Sequence, residues 1–130
     1  MKKVLFVCVE NAGRSQIAEG FFKKLAPSEY EGISAGTIPI SEINPLVVQA
    51  MKEVDIDISD NKSKLVTNEM IKKSDSVVNM GCMDKESCPA LFVEEIDDWA
   101  IEDPKGKSIE DVRRIRDSIE LKVKELVSDL

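Results

Sequence analysis

Three short stretches with strand character, at 3–7, 31–35 and 76–80, alternate along the chain with stretches of helical periodicity, and few folds accommodate that alternation. From near Ser15, the residues Ile17, Ala18, Phe21, Phe22 and Leu25 recur at helical spacing until Pro27 stops the pattern. Asn44-Pro45 reads as an N-cap followed by a first-turn proline and predicts a helix through about Val54. Thr67 caps a short helix through Lys73. Ser108, with Asp111 where a capping box prefers Glu or Gln, opens a long C-terminal helix whose apolar stripe is Ile109, Val112, Ile115, Ile119, Val123 and Leu126. Part of 92–99 is expected to supply a final strand. Strands alternating with helices predict an α/β fold with a parallel sheet covered on both faces. No internal repeat or linker interrupts the chain, so residues 1–130 are expected to form a single domain.

Charge and cysteine usage narrow the chemistry. The formal charge of −7 argues against nucleic-acid binding, which needs a basic face, and any anion site must be built locally against the overall field. No segment approaches the ~20 apolar residues of a membrane span, and the apolar run after Lys2-Lys3 is short for a signal peptide. A cytoplasmic, membrane-free protein is expected. The chain has no histidine, which removes Cys-His and Ser-His catalysis and the commonest zinc ligand. Three cysteines in such a chain are a poor basis for a structural disulfide framework.

The segment Cys8-Val9-Glu10-Asn11-Ala12-Gly13-Arg14-Ser15 runs from a predicted strand into a predicted helix, with five residues between cysteine and arginine. A loop of this kind turns successive N–H groups of Glu10, Asn11, Ala12 and Gly13 towards an anion. The helix behind it adds its positive end. Arg14 offers a planar fork matched to two oxygens of a tetrahedral oxyanion. The same field favours a thiolate on Cys8, the form in which cysteine is a nucleophile, and Ser15 can donate a further hydrogen bond to it. A lone cysteine at a strand end is more often a small core residue. The grouping of cysteine, glycine, arginine and serine at one strand-to-helix turn favours function.

Together with Gly13-Arg14-Ser15-Gln16 and Ala18-Glu19, the pieces Ser34-Ala35-Gly36, Asp57-Ile58-Ser59, Asp103-Pro104 and Gly106-Lys107 give the chain a family likeness. It resembles the low-molecular-weight protein tyrosine phosphatase fold and, within it, the thioredoxin-coupled arsenate reductases. The resemblance implies a three-layer α/β/α arrangement with a four-stranded parallel sheet. It also implies arsenate as substrate, with phosphate or sulfate as analogues, and thioredoxin as reductant. A monomer without a cofactor is expected.

An Asp-Pro pair alone is usually a turn, and Glu102 is a neighbouring candidate acid; the resemblance assigns the general acid to Asp103. Lys105-Gly106-Lys107 follows it, where tyrosine phosphatases of this type carry aromatic residues. Cys82 and Cys88, six positions apart, could close a disulfide, stand idle, or bind a metal with too few ligands. The similar reductases use a cysteine pair at this location, which implies a relay from Cys8 to Cys82 to Cys88. Some family members hold a potassium ion near the loop through an asparagine, a glutamate, a serine and an aspartate. Asn11, Glu19 and Ser34 match the first three, and Lys64 stands in the aspartate's place. An ammonium there would replace the ion, so no metal requirement is expected. The rival readings are a phosphatase using the same loop, a noncatalytic oxyanion-sensing module, and a generic thiol oxidoreductase, for which a close Cys-x-x-Cys pair is missing.

Overall fold

The computed structural model describes residues 2–80, 96–99 and 101–130. The chain forms β1 (Lys2–Cys8), α1 (Arg14–Leu25), β2 (Tyr30–Gly36), α2 (Pro45–Lys52), α3 (Asn68–Lys73), β3 (Ser76–Asn79), β4 (Ile96–Asp98) and α4 (Ile109–Ser128). The predicted caps are in place. Asn44 Oδ1 accepts from Leu46 N–H, Thr67 Oγ1 from Met70 N–H, and Ser108 Oγ from Asp111 N–H. Helix α2 stops at Lys52, short of the expected Val54, because Asp55 adopts a left-handed φ of 65° that a helix cannot continue. Strand β1 extends one residue further than expected at each end and so includes Cys8 itself.

The four strands are all parallel, in the order β2-β1-β3-β4. Successive residues of β1 face opposite sides of the sheet, which divides the core in two. Val4, Phe6 and Cys8 pack with Ile17, Phe21 and Phe22 of α1, Val47 and Met51 of α2, and Ile115, Ile119 and Val123 of α4. Leu5 and Val7 face the other way, against Val66 and the Met70 and Ile71 side chains of α3. Helices therefore cover both faces, as the alternation predicted. Burying an aromatic or aliphatic side chain of this size contributes about 1.5–3 kcal/mol. Phe6, Phe21, Phe22 and Trp99 are all spent in the core rather than at the surface. Among the described residues no helix is long and apolar enough to cross a membrane.

Chain order and sheet order diverge at β1, which has β2 on one side and β3 on the other. Connections leaving neighbouring strands in opposite directions open a crevice at their carboxyl ends, where ligands of such sheets bind. Cys8 ends β1 at that crevice.

Candidate active site

Between Cys8 and α1 the chain makes a tight loop whose carbonyls are all taken up from outside it. Thr37, Ile38, Ile40 and Asn44 donate their N–H groups to the carbonyls of Cys8, Val9, Glu10 and Ala12. The Asn11 carbonyl accepts from Gln16 Nε2 at 3.1 Å and Ser63 Oγ at 3.0 Å. In a trans peptide the N–H lies opposite the carbonyl, so the N–H groups of residues 9–13 face the loop interior. Such a row of donors is an anion nest. Gly13 caps α1 with no side chain of its own, which leaves the first-turn amides to the same space. Two glycines permit the close approach. A Cβ on Gly36 would lie 2.5 Å from the Val9 carbonyl, and one on Gly13 would lie 2.8 Å from the Pro104 ring.

Cys8 is buried, and its sulfur is met by two donors from the loop. Asn11 N–H points at Cys8 Sγ from 3.3 Å, made possible by a left-handed φ of 51° at Asn11, which asparagine tolerates better than most residues. Ser15 Oγ lies 2.9 Å from the sulfur. That hydroxyl accepts a hydrogen bond from Asn11 Nδ2 at 2.7 Å and keeps its own proton to donate to a Cys8 thiolate, which can only accept.

Arg14 and Asp103 form the facing wall. Arg14, nearly buried, donates from NH1 to the Ile101 carbonyl at 3.2 Å, and its NH2 lies 3.6 Å from Asp103 Oδ2. Asp103 is half exposed, and its other oxygen accepts from Lys105 N–H at 3.0 Å. Glu102, the neighbouring candidate acid, points away, to Arg114 and Lys107. The Arg114 hydrogen bond holds its carboxyl below the ordinary glutamate range, which keeps it ionised and makes it a poor proton donor. Asp103, not Glu102, lines the cavity of about 240 Å³ that also takes in Cys8, Gly13 and Arg14. Ile40, Ile43, Pro45 and Pro104 supply its apolar wall, and among the described residues no aromatic ring lines it.

The structure thus brings Cys8, Glu10, Asn11, Ala12, Gly13, Arg14, Ser15 and Asp103 together. Glu10 contributes more than a backbone donor, since its carboxylate pairs with Lys105 Nζ at 3.3 Å across the cavity mouth. Cys82 and Cys88 lie outside the described residues. Lys64 supports the loop differently from the expectation. Its ammonium is at the surface, donating to the Lys62 carbonyl, and it is the Lys64 backbone N–H that reaches Asn11 Oδ1, at 2.9 Å. An ammonium on a long exposed stem gains more from water than from a site it would have to be desolvated to enter.

The potassium cage of the related proteins does not fit the donors present. Asn11 Oδ1 already accepts from Lys64 N–H and the Asn11 carbonyl from Ser63 Oγ, and Gln16 Nε2 lies 3.1 Å from each, so both oxygens face protein donors. Glu19, almost buried, faces Lys23 at 3.7 Å. Ser34 Oγ is buried with no hydrogen-bond partner among the described residues, one open oxygen where a hard cation needs several.

Sequence reasoning overlooked Gln16. It appears there only as part of the motif that carries the resemblance, with no role assigned, yet it is fully buried and joined to Asn61 and Lys62. The only available signal was a polar residue on the apolar side of a helix that begins at the loop.

A parallel α/β sheet with a cysteine-to-arginine oxyanion loop between its first strand and first helix defines a class of protein. The chain belongs to the low molecular weight phosphotyrosine protein phosphatase family, whose sequence model matches residues 3–130. It is 39% identical over 125 residues to arsenate reductase 2 of Staphylococcus saprophyticus, covering 95% of each chain. The fold superposes on a solved arsenate reductase in the phosphate-binding state with a TM-score of 0.87, at 35% identity over 99% of this chain and 98% of that one. A thioredoxin-dependent arsenate reductase of Corynebacterium glutamicum gives a TM-score of 0.83 at 39% identity, over 99% of this chain and 61% of that one.

Proposed function

We propose that this chain is a cytoplasmic, monomeric arsenate reductase that draws electrons from its own thiols and is regenerated by thioredoxin. The observation that carries the reading is the cavity: a buried cysteine in a nest of N–H donors, an arginine fork beside it, and a carboxyl opposite, with no ring among the described residues to hold an aryl ester. The likeness to arsenate reductases over nearly the whole chain supports the substrate, and the thioredoxin-dependent relative supports the reductant.

The chemistry follows from the charges. Arsenate enters the loop with its oxygens on the N–H groups and Arg14. The Cys8 thiolate attacks arsenic while Asp103 gives a proton to the departing oxygen, leaving water and an arsenic–sulfur bond. Cys82 then attacks the Cys8 sulfur. The electron pair of the arsenic–sulfur bond goes to arsenic, arsenite leaves, and a Cys8–Cys82 disulfide remains. Cys88 attacks Cys82, frees Cys8, and the Cys82–Cys88 disulfide passes to thioredoxin.

The test is NADPH consumption with thioredoxin and thioredoxin reductase on addition of arsenate, with arsenite quantified. Sustained consumption matched to arsenite is expected. Hydrolysis of a phosphate monoester with no arsenate-dependent consumption would make the protein a phosphatase with the same loop.

A further inference from the structure

The side chain of Gln16 is tied to Asn11, Asn61 and Lys62, yet it touches neither the sulfur nor the cavity. Its Nε2 lies 3.1 Å from the Asn11 carbonyl, 3.1 Å from Asn11 Oδ1 and 3.3 Å from the Lys62 carbonyl, so its two hydrogens are shared among three acceptors. Its Oε1 accepts from Asn61 Nδ2 at 3.1 Å. These bonds, with Lys64 N–H, place donors on the oxygen end of the Asn11 amide. The nitrogen end then faces Ser15 and donates to its hydroxyl, whose proton is left to donate to a Cys8 thiolate.

We infer that Gln16 is a positioning residue for Cys8: its amide, behind Asn11, sets the direction of the donor chain Gln16 to Asn11 to Ser15 to the sulfur without a cation. Reversing the Asn11 amide would put an acceptor against Ser15, draw the hydroxyl proton away from Cys8, and leave the thiolate without that hydrogen bond. The same bonds to the Asn11 carbonyl hold the left-handed turn that aims Asn11 N–H at the sulfur. The inference rests on Cys8 as the reactive thiol but not on the identity of the substrate.

The experiment measures alkylation of Cys8 by iodoacetamide at pH 7, in a chain with Cys82→Ser and Cys88→Ser so that one thiol reacts. Loss of one hydrogen bond to a charged group corresponds to about tenfold or more in rate. Gln16→Met, similar in size and without donors, should slow alkylation by about that factor. In a Ser15→Ala background it should add little, because the two act through one chain. The wild-type rate should be the same in potassium chloride and in choline chloride. An unchanged rate in Gln16→Met, a full additional loss on top of Ser15→Ala, or an acceleration by potassium would each overturn the proposal. Should Gln16→Met not fold, the unaltered protein decides. Slow water exchange of the Asn11 and Gln16 side-chain amide protons by NMR supports the chain, and fast exchange overturns it. A protein that fails to reduce arsenate yet gives these alkylation rates would refute the substrate and leave the role of Gln16 standing.

Discussion

The Cys8 loop and the Asp103 segment face each other across one cavity, yet they are held by different forces. Around Cys8 the partners are buried and mostly neutral: Asn11, Ser15 and Gln16 are all sealed from water, and the loop carbonyls are fixed by backbone donors of residues 37–44. Around Asp103 the partners are charged, and each pair has at least one member open to water: Asp103 with the buried Arg14, Lys105 with Glu10, and Glu102 with Arg114 and Lys107. Buried hydrogen bonds are costly to leave unmade, whereas exposed ion pairs are worth about 0–1 kcal/mol and weaken with salt. The nucleophile's half is therefore set before substrate arrives. The half that holds Asp103 can adjust as charge enters and water leaves, which suits the proton delivery proposed for it.

The contrast is most sharply tested by removing one group from each side. Asp103→Asn should lower the turnover rate by about 10²–10⁴ while leaving the melting temperature nearly unchanged, since the side chain is half exposed. Steady-state kinetics and thermal unfolding together check this. A large loss of stability would mean that the acid segment is as structural as the loop. Ser15→Ala should cost less rate, about ten- to a hundredfold, but should also destabilise the fold by about 1–3 kcal/mol, because it strands a buried Asn11 amide. A purely kinetic defect in that variant would erase the distinction between the halves. The smallest effect belongs to the cavity mouth. Lys105→Met should change the rate by less than about fivefold at low salt. Its difference from the unaltered chain should vanish near 1 M salt, where charges are screened beyond about 3 Å.

Much of this was legible from residue order. The caps at Asn44, Thr67 and Ser108 and the alternation of strand and helix located the elements, and the Cys8-to-Arg14 spacing located the site, because these signals are local. What escaped was tertiary. Gln16 is defined by partners 45 and 46 positions away, and no periodicity reports a buried amide. Lys64 was read by its charge, but it acts through its backbone N–H, a group every residue other than proline carries. The end of α2 was misplaced because a left-handed turn at Asp55 leaves no mark in composition. Strand β4, only three residues long, lies inside the expected 92–99, too short for its pattern to declare its limits.

The relay is tested most directly by a single-turnover experiment on Cys88→Ser. Mixed with excess arsenate without thioredoxin, this variant should release about one arsenite per chain and stop. Peptide mass analysis should then find Cys8 joined to Cys82. Sustained turnover in Cys88→Ser with thioredoxin present, or arsenite release without that disulfide, would contradict a path through the chain's own thiols.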